Sequence, residues 1–320
     1  MIPAPLRLRP VFRERLWAGS RMASAFGYDV PDATGECWGV SARPDGASMV
    51  FGGPHDGRSL LTVWEQDRAF FGDDPRLTFP LLVKFLDTGD WLSVQVHPND
   101  AEALRLEGVP LGKTECWYVV DAVPGAELIL GHRARDTSEL TRMIDEGRWD
   151  DLLLRRTVRA GDFLNIPSGT IHAVGPGMLI CEVQQNCDTT YRVYDFDRRG
   201  RDGMLRDLHL SKSKEVCIVP YDAASTDTAR APERVLGGRR TALVRGEYFE
   251  VDRHEVEGPG YLVEFPTYEL MTVVRGAGNL AYAHHDVPLA AGDHLVLPAG
   301  VGPVRLAGDL TLITSRPTPP

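Results

Sequence analysis

The stretch that decides the fold of this 320-residue chain is Gly161-Asp-Phe-Leu-Asn-Ile-Pro-Ser-Gly169, because a second version of it returns as Gly292-Asp-His-Leu-Val-Leu-Pro-Ala-Gly300. Each version is a short apolar run that ends at a proline. The flanking glycines permit a tight backbone turn beside a strand. A weaker repeat relates residues 115–120 to residues 269–274. Two copies of one structural unit explain both repeats.

Apolar runs of strand length, bounded by turn residues, occur along most of the chain. Around residue 95 the apolar and polar side chains alternate, which is the period of a half-buried strand. Many short strands at close spacing predict a sandwich or a barrel. The clearest runs are residues 81–86, 91–96, 116–120, 128–130, 163–166 and 178–183.

The repeated G-D-x-x-x-I/L-P-x-G turn is typical of cupin proteins, and it indicates the fold class. We expect a mainly β protein with two cupin-type (jelly-roll) barrels and a few short helices. In this prediction residues 1–222 form the first barrel, which carries the metal site, and residues 240–320 form a degenerate second barrel without one. Residues 223–239 are polar, contain Ala, Pro and Gly, and form a partly ordered linker.

Three stretches carry helix signals. The stretch Asp136-Thr-Ser-Glu139 resembles a capping box, and apolar residues then recur at helical spacing. Asn99 or Asp100 is placed to cap a short helix over residues 101–106. Residues 208–216 form a third helix candidate.

The composition excludes several classes of partner. The net charge is −10, and an acidic protein repels nucleic acid and anionic membranes, so neither is expected to bind. An anionic small molecule would need a local basic pocket. The five cysteines are odd in number and include no C-x-x-C pair, which argues against a disulfide framework and favours a reducing compartment. We therefore expect a cytoplasmic protein.

The residues with metal-binding chemistry begin with Gln95-Val-His97. Residues two apart on a strand point to the same face, so both side chains can reach one metal ion. Glu115 lies on what should be a neighbouring strand, and His172 follows the first glycine-flanked turn. Two imidazoles, one carboxylate and one amide oxygen suit Zn²⁺, with Fe²⁺, Mn²⁺ and Co²⁺ as further candidates.

Either histidine could instead be a hydrogen-bonded residue of the barrel interior. The second repeat argues against this alternative, because it has Pro303 where the first repeat has His172, and it lacks a Gln-x-His pair. A duplicated unit that keeps a polar cluster in one copy is expected for a single functional site.

A second set of candidates is charged. Lys84, Lys113 and Arg192 could reach the same cleft and hold phosphate, although such residues are commonly solvated surface charges. Glu182 stands in an apolar run, where a carboxylate is either a proton-transfer group or a buried structural acid. Further candidates for contacts with sugar hydroxyls are Asn186, Asp188, Tyr191 and Tyr194.

These stretches together resemble the type I phosphomannose isomerase family, in its short bacterial form. Residues 92–99 (LSVQVHPN) and 112–118 (GKTECWY) are specific motifs of that family, and they occur in the expected order. The long forms of the family carry an inserted helical domain, so residues contributed by that insertion have no counterpart here. The other matching stretches are residues 10–17, 35–38, 161–173, 182–195 and 208–209.

The resemblance implies an enzyme that interconverts mannose 6-phosphate and fructose 6-phosphate through a cis-enediol intermediate. It implies one Zn²⁺ per chain, a sugar phosphate as the partner, and a monomer or weak homodimer. Lys84, Lys113 and Arg192 would bind the substrate, and Arg192, Glu182 and Lys113 would be catalytic. The positions that match the family's zinc ligands are Gln95, His97, Glu115 and His172.

Two other functions are compatible with parts of the pattern. A cupin oxygenase would use the two histidines and Glu115 as a facial triad for Fe²⁺, but the glutamine and the lysines argue against it. A catalytically inactive sugar-phosphate-binding protein would be expected to have lost Lys113, Glu182 or Arg192, and all three residues are present.

Overall fold

The computed structural model describes residues 2–200 and 202–319, and these residues form a mainly β structure. The strands before residue 200 are β1 (Leu6–Arg9), β2 (Val11–Glu14), β3 (Thr34–Val40), β4 (Met49–Phe51), β5 (Leu81–Thr88), β6 (Val94–Val96), β7 (Glu115–Ala122), β8 (Glu127–His132), β9 (Leu153–Thr157), β10 (Phe163–Ile166), β11 (His172–Val174), β12 (Met178–Gln185) and β13 (Tyr191–Tyr194). The later strands are β14 (Glu233–Val235), β15 (Gly238–Arg245), β16 (Phe249–Val256), β17 (Tyr261–Val263), β18 (Glu269–Tyr282), β19 (His285–Ala290), β20 (His294–Leu297) and β21 (Val304–Pro317). The α-helices are α1 (Arg21–Phe26), α2 (Leu60–Gln66), α3 (Asp100–Glu107), α4 (Thr137–Asp145), α5 (Trp149–Leu152) and α6 (Leu210–Val216), with 3₁₀ turns at Arg68–Phe71 and Ala223–Thr226.

The strands form three sheets, which we name by their size. The six-stranded sheet has the order β10-β7-β12-β5-β3-β2, and the five-stranded sheet has the order β13-β6-β11-β8-β9. The ten-stranded sheet runs β14-β15-β16-β21-β18-β20-β1-β4, with β17 beside β21 and β19 beside β18. A closed barrel requires the two outer strands of a sheet to pair, and this pairing is absent among the described residues. The mainly β fold class is confirmed, and the two barrels stay a prediction.

The six-stranded sheet is the middle layer and is buried on both faces. One face packs against the five-stranded sheet through a core that includes Trp117 and Leu164 on one side and Leu128 and Val174 on the other. The opposite face packs against the ten-stranded sheet. Strands covered on both sides are largely apolar, which explains why Lys84 is the one charged residue among residues 81–86.

All three predicted helices form; α3 and α4 begin at their capping signals, whereas α6 has no side-chain cap. At the start of α3 the Asn99 side chain accepts from the Glu102 N–H, and the Glu102 carboxylate accepts from the Asn99 N–H, both at 2.9 Å. At α4 the Asp136 side chain accepts from the Glu139 N–H, whereas the Glu139 carboxylate turns to the Arg135 N–H. None of the helices within the described ranges is long and apolar enough to span a membrane.

The N-terminal segment contributes strands to the sheet of the C-terminal repeat. Strand β1 pairs with β20, with Leu8 opposite His294, and β4 pairs with β1. The segment predicted as a linker contains a 3₁₀ turn and β14, and the Asn165 side-chain amide donates to the Ser225 carbonyl at 2.9 Å. The division of the chain at residues 222 and 240 stays a prediction.

A buried aromatic cluster joins α2 and the chain that follows it to the ten-stranded sheet. The ring of Trp64 lies 4.9 Å from that of Phe71 and 5.2 Å from that of Phe79. The ring of Tyr268, just before β18, lies 5.3 Å from that of Phe71 in an edge-to-face contact. Such edge-to-face pairs add to the stabilisation from buried area.

Phe71→Ala is expected to lower the free energy of unfolding by about 3–5 kcal/mol, because it leaves a cavity in this cluster. Leu77→Ala is the matched control, because Leu77 is 96% exposed. This substitution should change the free energy of unfolding by less than about 0.5 kcal/mol. Chemical denaturation measures both. Equal, small effects would show that the cluster does not stabilise the fold.

Candidate active site

Three buried polar residues meet between the six-stranded and five-stranded sheets. Glu115 opens β7, His97 directly follows β6, and His172 opens β11. Their candidate ligand atoms all lie within 4.8 Å of one another. His172 Nε2 lies 3.3 Å from Glu115 Oε1, and His97 Nε2 lies 3.6 Å from Glu115 Oε2. The fold thus brings together three of the four residues predicted as metal ligands.

Backbone carbonyls orient both imidazoles. His97 Nδ1 lies 3.0 Å from the Thr189 carbonyl oxygen, and His172 Nδ1 lies 2.9 Å from that of Thr170. A carbonyl can only accept, so each Nδ1 carries the proton and each neutral ring presents a lone pair at Nε2. Burial lowers the pKa of His172 to about 3 and the pKa of His97 well below its usual value, which keeps both rings neutral.

This arrangement leaves electron-rich atoms facing one another in a buried space. His172 Nε2 and both Glu115 carboxylate oxygens have no hydrogen-bond donor among the described residues. A buried carboxylate without donors is costly, and lone pairs at this distance repel. The three side chains therefore fit a divalent cation, and imidazole with carboxylate is a ligand set that zinc accepts.

Gln95 lies beside this cluster. It is opposite His172 in the pairing of β6 with β11, and it shares the strand face of His97. The residue is half-buried and lines the neighbouring cavity. The strand pairing puts Gln95 next to His172, and the role of its amide as a fourth metal ligand stays a prediction.

A cavity of about 340 Å³ opens beside the cluster. Its walls carry both signs of charge in a small space, which suits a polar ligand. The predicted residues that line it are Lys84, Gln95, Lys113, Glu182 and Arg192. Lining residues that the sequence did not reveal include Arg15, Trp17, Glu36, Ser93, Thr190 and Arg206.

A row of alternating charges crosses the six-stranded sheet on the wall of this cavity. Lys84 and Glu182 are opposite each other in β5 and β12, and Lys84 Nζ lies 3.0 Å from Glu182 Oε1. The other Glu182 oxygen accepts from the Trp117 indole N–H at 2.9 Å. On the other side of Lys84, Glu36 lies 4.0 Å away and accepts two hydrogen bonds from Arg15, each at 2.9 Å.

The neighbours in this row control two pKa values. Burial by itself would raise the pKa of Glu36, but Lys84 and Arg15 outweigh burial and lower it to about 2. Burial would lower the pKa of Lys84, but Glu182 and Glu36 outweigh that effect and raise it. Glu36 and Lys84 therefore stay charged at neutral pH.

Lys113 stands next to the metal-ligand cluster. Its Nζ lies 3.0 Å from Glu115 Oε2 and 3.2 Å from His97 Nε2. The ammonium compensates the Glu115 charge, but it is not aligned as a hydrogen-bond donor to the carboxylate. Burial opposes the charged lysine, and Glu115 more than offsets this effect, so the Lys113 pKa is raised.

Arg192 enters the cavity from β13, where it lies opposite Gln95 of β6. Its Nη1 donates to the Asp207 carbonyl at 2.6 Å, and its backbone N–H donates to His209 Nδ1 at 3.0 Å. These two bonds tie the strand to the loop that precedes α6. The guanidinium is thereby held at the rim of the cavity.

Known proteins are similar to this chain over nearly its whole length. Residues 6–110 match the family described as phosphomannose isomerase type I, catalytic domain, and residues 239–317 match the mannose-6-phosphate isomerase cupin domain. The mannose-6-phosphate isomerase ManA of Bacillus subtilis is 44% identical over 317 residues, which are 99% of this chain and 100% of that protein. The chain belongs to the type I mannose-6-phosphate isomerase family.

Other members of the mannose-6-phosphate isomerase family agree with this assignment. The enzyme of Streptococcus mutans is 43% identical over 313 residues, which are 98% of each chain. A crystal structure of a mannose 6-phosphate isomerase from Bacillus subtilis has a TM-score of 0.93 at 41% identity, covering 98% of this chain and 99% of that one. A phosphomannose isomerase variant from Salmonella typhimurium shares the fold, with a TM-score of 0.81 at 15% identity and coverage of 98% of this chain and 99% of that one.

In the second repeat of this isomerase-family fold, an arginine stands beside the glutamate that corresponds to Glu115. The repeat aligns Glu269 with Glu115, and both residues open a strand of their sheet. Glu269 is fully buried and faces Arg316, whose Nη1 lies 3.4 Å from each carboxylate oxygen. The Arg316 guanidinium therefore balances the charge of Glu269, whereas the corresponding Glu115 of the first repeat faces two histidines.

Of the four residues predicted to contact sugar hydroxyls, the fold places one in the cavity wall and three elsewhere. Asp188 lines the cavity. Tyr191 donates its hydroxyl to Glu107 at 2.8 Å, Asn186 donates to the Phe79 carbonyl, and Tyr194 stacks on an indole ring outside the cavity. The last three residues therefore make structural contacts.

Glu36 is the cavity residue that sequence reasoning could have found. It stands two residues before Trp38 on a strand that is buried throughout, and the Trp38 indole donates to its carboxylate at 2.8 Å. A glutamate inside an otherwise apolar strand is a signal for a paired charge. Its partners, however, come from distant segments that no local pattern identifies.

Glu36→Gln is expected to destabilise the protein at pH 7 and to matter less as the pH falls. The folded pKa of about 2 lies below the usual 4.5, so the ionised carboxylate contributes about 3 kcal/mol at neutral pH, and this contribution is lost as the pH falls from about 4.5 to 2. Denaturation at pH 7 and at lower pH measures the change.

Glu127→Gln, in the exposed pair with Arg155, is the control and should have little effect at either pH. A Glu36→Gln penalty that did not shrink on acidification would contradict the assigned charge row.

Proposed function

We propose that this protein is a zinc-dependent aldose–ketose isomerase that interconverts mannose 6-phosphate and fructose 6-phosphate. The observation that carries the proposal is the buried cluster of His97, Glu115 and His172 beside a cavity with lysines and arginines. Relatives that cover nearly the whole chain are named for this activity.

Four residues would hold one zinc ion: Gln95, His97, Glu115 and His172. The unsatisfied Glu115 oxygens and the free Nε2 of His172 support this assignment. When bound, the metal would supply a Lewis acid that stabilises negative charge on the sugar oxygens. The backbone carbonyls that accept from each Nδ1 would keep both imidazoles in the ligating tautomer.

The chain's own groups would carry the proton from C2 to C1 through a cis-enediol. Glu182 is the proposed proton carrier, because Lys84 and the Trp117 indole hold its carboxylate at the cavity wall. Lys113 would donate to a sugar oxygen, since its ammonium stands between the metal-ligand cluster and the cavity. Lys84, Lys113 and Arg192 would position the substrate, with Arg192 also stabilising developing charge.

The same three-residue cluster would suit an Fe²⁺ oxygenase, which is the nearest alternative. The cationic side chains at the cavity favour a phosphorylated substrate instead. An inactive sugar-phosphate-binding protein is disfavoured because Lys113, Glu182 and Arg192 all line the cavity. Oxygen-independent turnover would exclude the oxygenase, and any turnover would exclude the inactive binder.

We further propose two jelly-roll units, residues 1–222 and 240–320, joined by residues 223–239, in a cytoplasmic monomer or weak homodimer. The repeat of the glycine-flanked turn supports the two units. All five cysteines are free thiols, which agrees with a reducing compartment.

Removal of the metal is expected to abolish conversion of mannose 6-phosphate, and added Zn²⁺ should restore it. Glu115→Gln should lower the bound zinc and reduce kcat/KM by more than about 100-fold, because it removes a charged ligand. Metal analysis and a coupled assay measure the two effects. Full activity in metal-free protein would refute the proposal.

Glu182→Gln is expected to lower kcat by about 10²–10⁴-fold, because the amide cannot carry the proton. Zinc content should stay at the wild-type level, since Glu182 is not among the proposed ligands. Exchange of the C2 proton with deuterated solvent gives a second readout. A kcat within tenfold of the wild-type value would assign proton transfer to another group.

A further inference from the structure

One buried carboxylate holds two arginines in the loop after β13. Asp195 is 3% exposed, and it accepts hydrogen bonds from Arg198 Nη2 at 2.7 Å and from Arg206 Nε at 2.6 Å. Arg206 Nη2 also donates to this carboxylate. A single negative charge is thus shared between two positive charges.

The two arginines differ in what else they contact. Arg198 Nη1 donates to the Trp91 carbonyl at 2.6 Å, and Arg198 does not line the cavity. Arg206 lines the cavity, and both of its hydrogen bonds within the described residues go to Asp195 through Nε and Nη2. Its Nη1 is therefore available to a ligand.

Arg192 lines the same cavity and lacks a carboxylate at ion-pair distance among the residues described. Its Nε is buried without a hydrogen-bond partner. Burial and the neighbouring Arg206 lower the pKa of Arg192, and the carboxylates of Asp195 and Asp207 offset only part of this effect. The positive charges of Arg192 and Arg206 therefore repel each other.

The lysines of the cavity are already compensated by protein carboxylates. Lys84 Nζ lies 3.0 Å from Glu182, and Lys113 Nζ lies 3.0 Å from Glu115. We call the part of the cavity that Arg192 and Arg206 line the arginine end. There, positive charge exceeds nearby negative charge, in a chain with a net charge of −10.

We propose that Arg206 binds the phosphate of the sugar together with Arg192, and that Asp195 positions Arg206 for this contact. This inference rests on the proposed function. A phosphate monoester carries about −1.5 to −2 charges at pH 7, and planar guanidiniums match its oxygens. The phosphate then lies at the arginine end, and the sugar carbons extend towards the metal-ligand cluster.

Arg206→Gln tests this assignment, with Arg198→Gln as the matched control because both arginines bind Asp195 and only Arg206 lines the cavity. Calorimetric titration with inorganic phosphate measures the anion site directly. Steady-state kinetics with mannose 6-phosphate separate KM from kcat, and thermal melting reports any structural loss.

We expect Arg206→Gln to weaken phosphate binding and to raise KM by about 10- to 100-fold, with kcat within about threefold, because a charge-assisted contact is lost. Arg198→Gln should leave phosphate binding and KM within about twofold. Arg206→Lys should be intermediate, because an ammonium keeps the charge but cannot bind Asp195 and phosphate in the same way.

Equal losses in Arg206→Gln and Arg198→Gln would overturn the assignment and leave Arg206 as a residue that supports the loop. Unchanged phosphate affinity in Arg206→Gln would overturn it as well. If the glutamine variant does not fold, the comparison of Arg206→Lys with Arg198→Lys decides by the same criteria. Phosphate binding that depends on Arg206 in a protein without isomerase activity would support the anion site and refute the proposed reaction.

Discussion

A buried carboxylate that faces two neutral imidazoles is the interaction on which the rest of the candidate site depends. Glu115 has no hydrogen-bond donor within the described part of the chain, and the nitrogens that face it present lone pairs. Such a set is stable only with a cation nearby. Lys113 supplies part of that charge, and the unsatisfied oxygens are free to bind a metal ion. The surrounding sheets keep these groups away from bulk water.

The middle sheet serves both stability and chemistry because a strand has two faces. On β7, Trp117 shares the face of Glu115, towards the five-stranded sheet, while Cys116 and Tyr118 pack towards the ten-stranded sheet. The polar residues are thus added to a layer whose position is already determined by apolar packing. The cavity is thus lined by lysines that have carboxylate partners and by Arg192, which has no carboxylate at ion-pair distance within the described residues.

Features that depend on nearest neighbours could be read from the sequence. The period of a strand put Gln95 and His97 on one face, and the side chain of Asn99 determined where α3 begins. The repeated glycine-flanked turn indicated a duplicated, mainly β chain. Each of these follows from backbone geometry within a few residues, which distant segments do not alter.

Only the tertiary structure decided which distant strands lie side by side. The strand of Glu115 was expected beside that of Gln95, but β7 belongs to a different sheet from β6, and Glu115 meets His172 across the two sheets. Sequence spacing also could not show that Arg206 reaches the same cavity as Glu36. It also could not show that β1 would join the C-terminal sheet. Strand pairing across long loops depends on the packing of all the layers together, and that balance of many weak contacts leaves no local pattern in the chain.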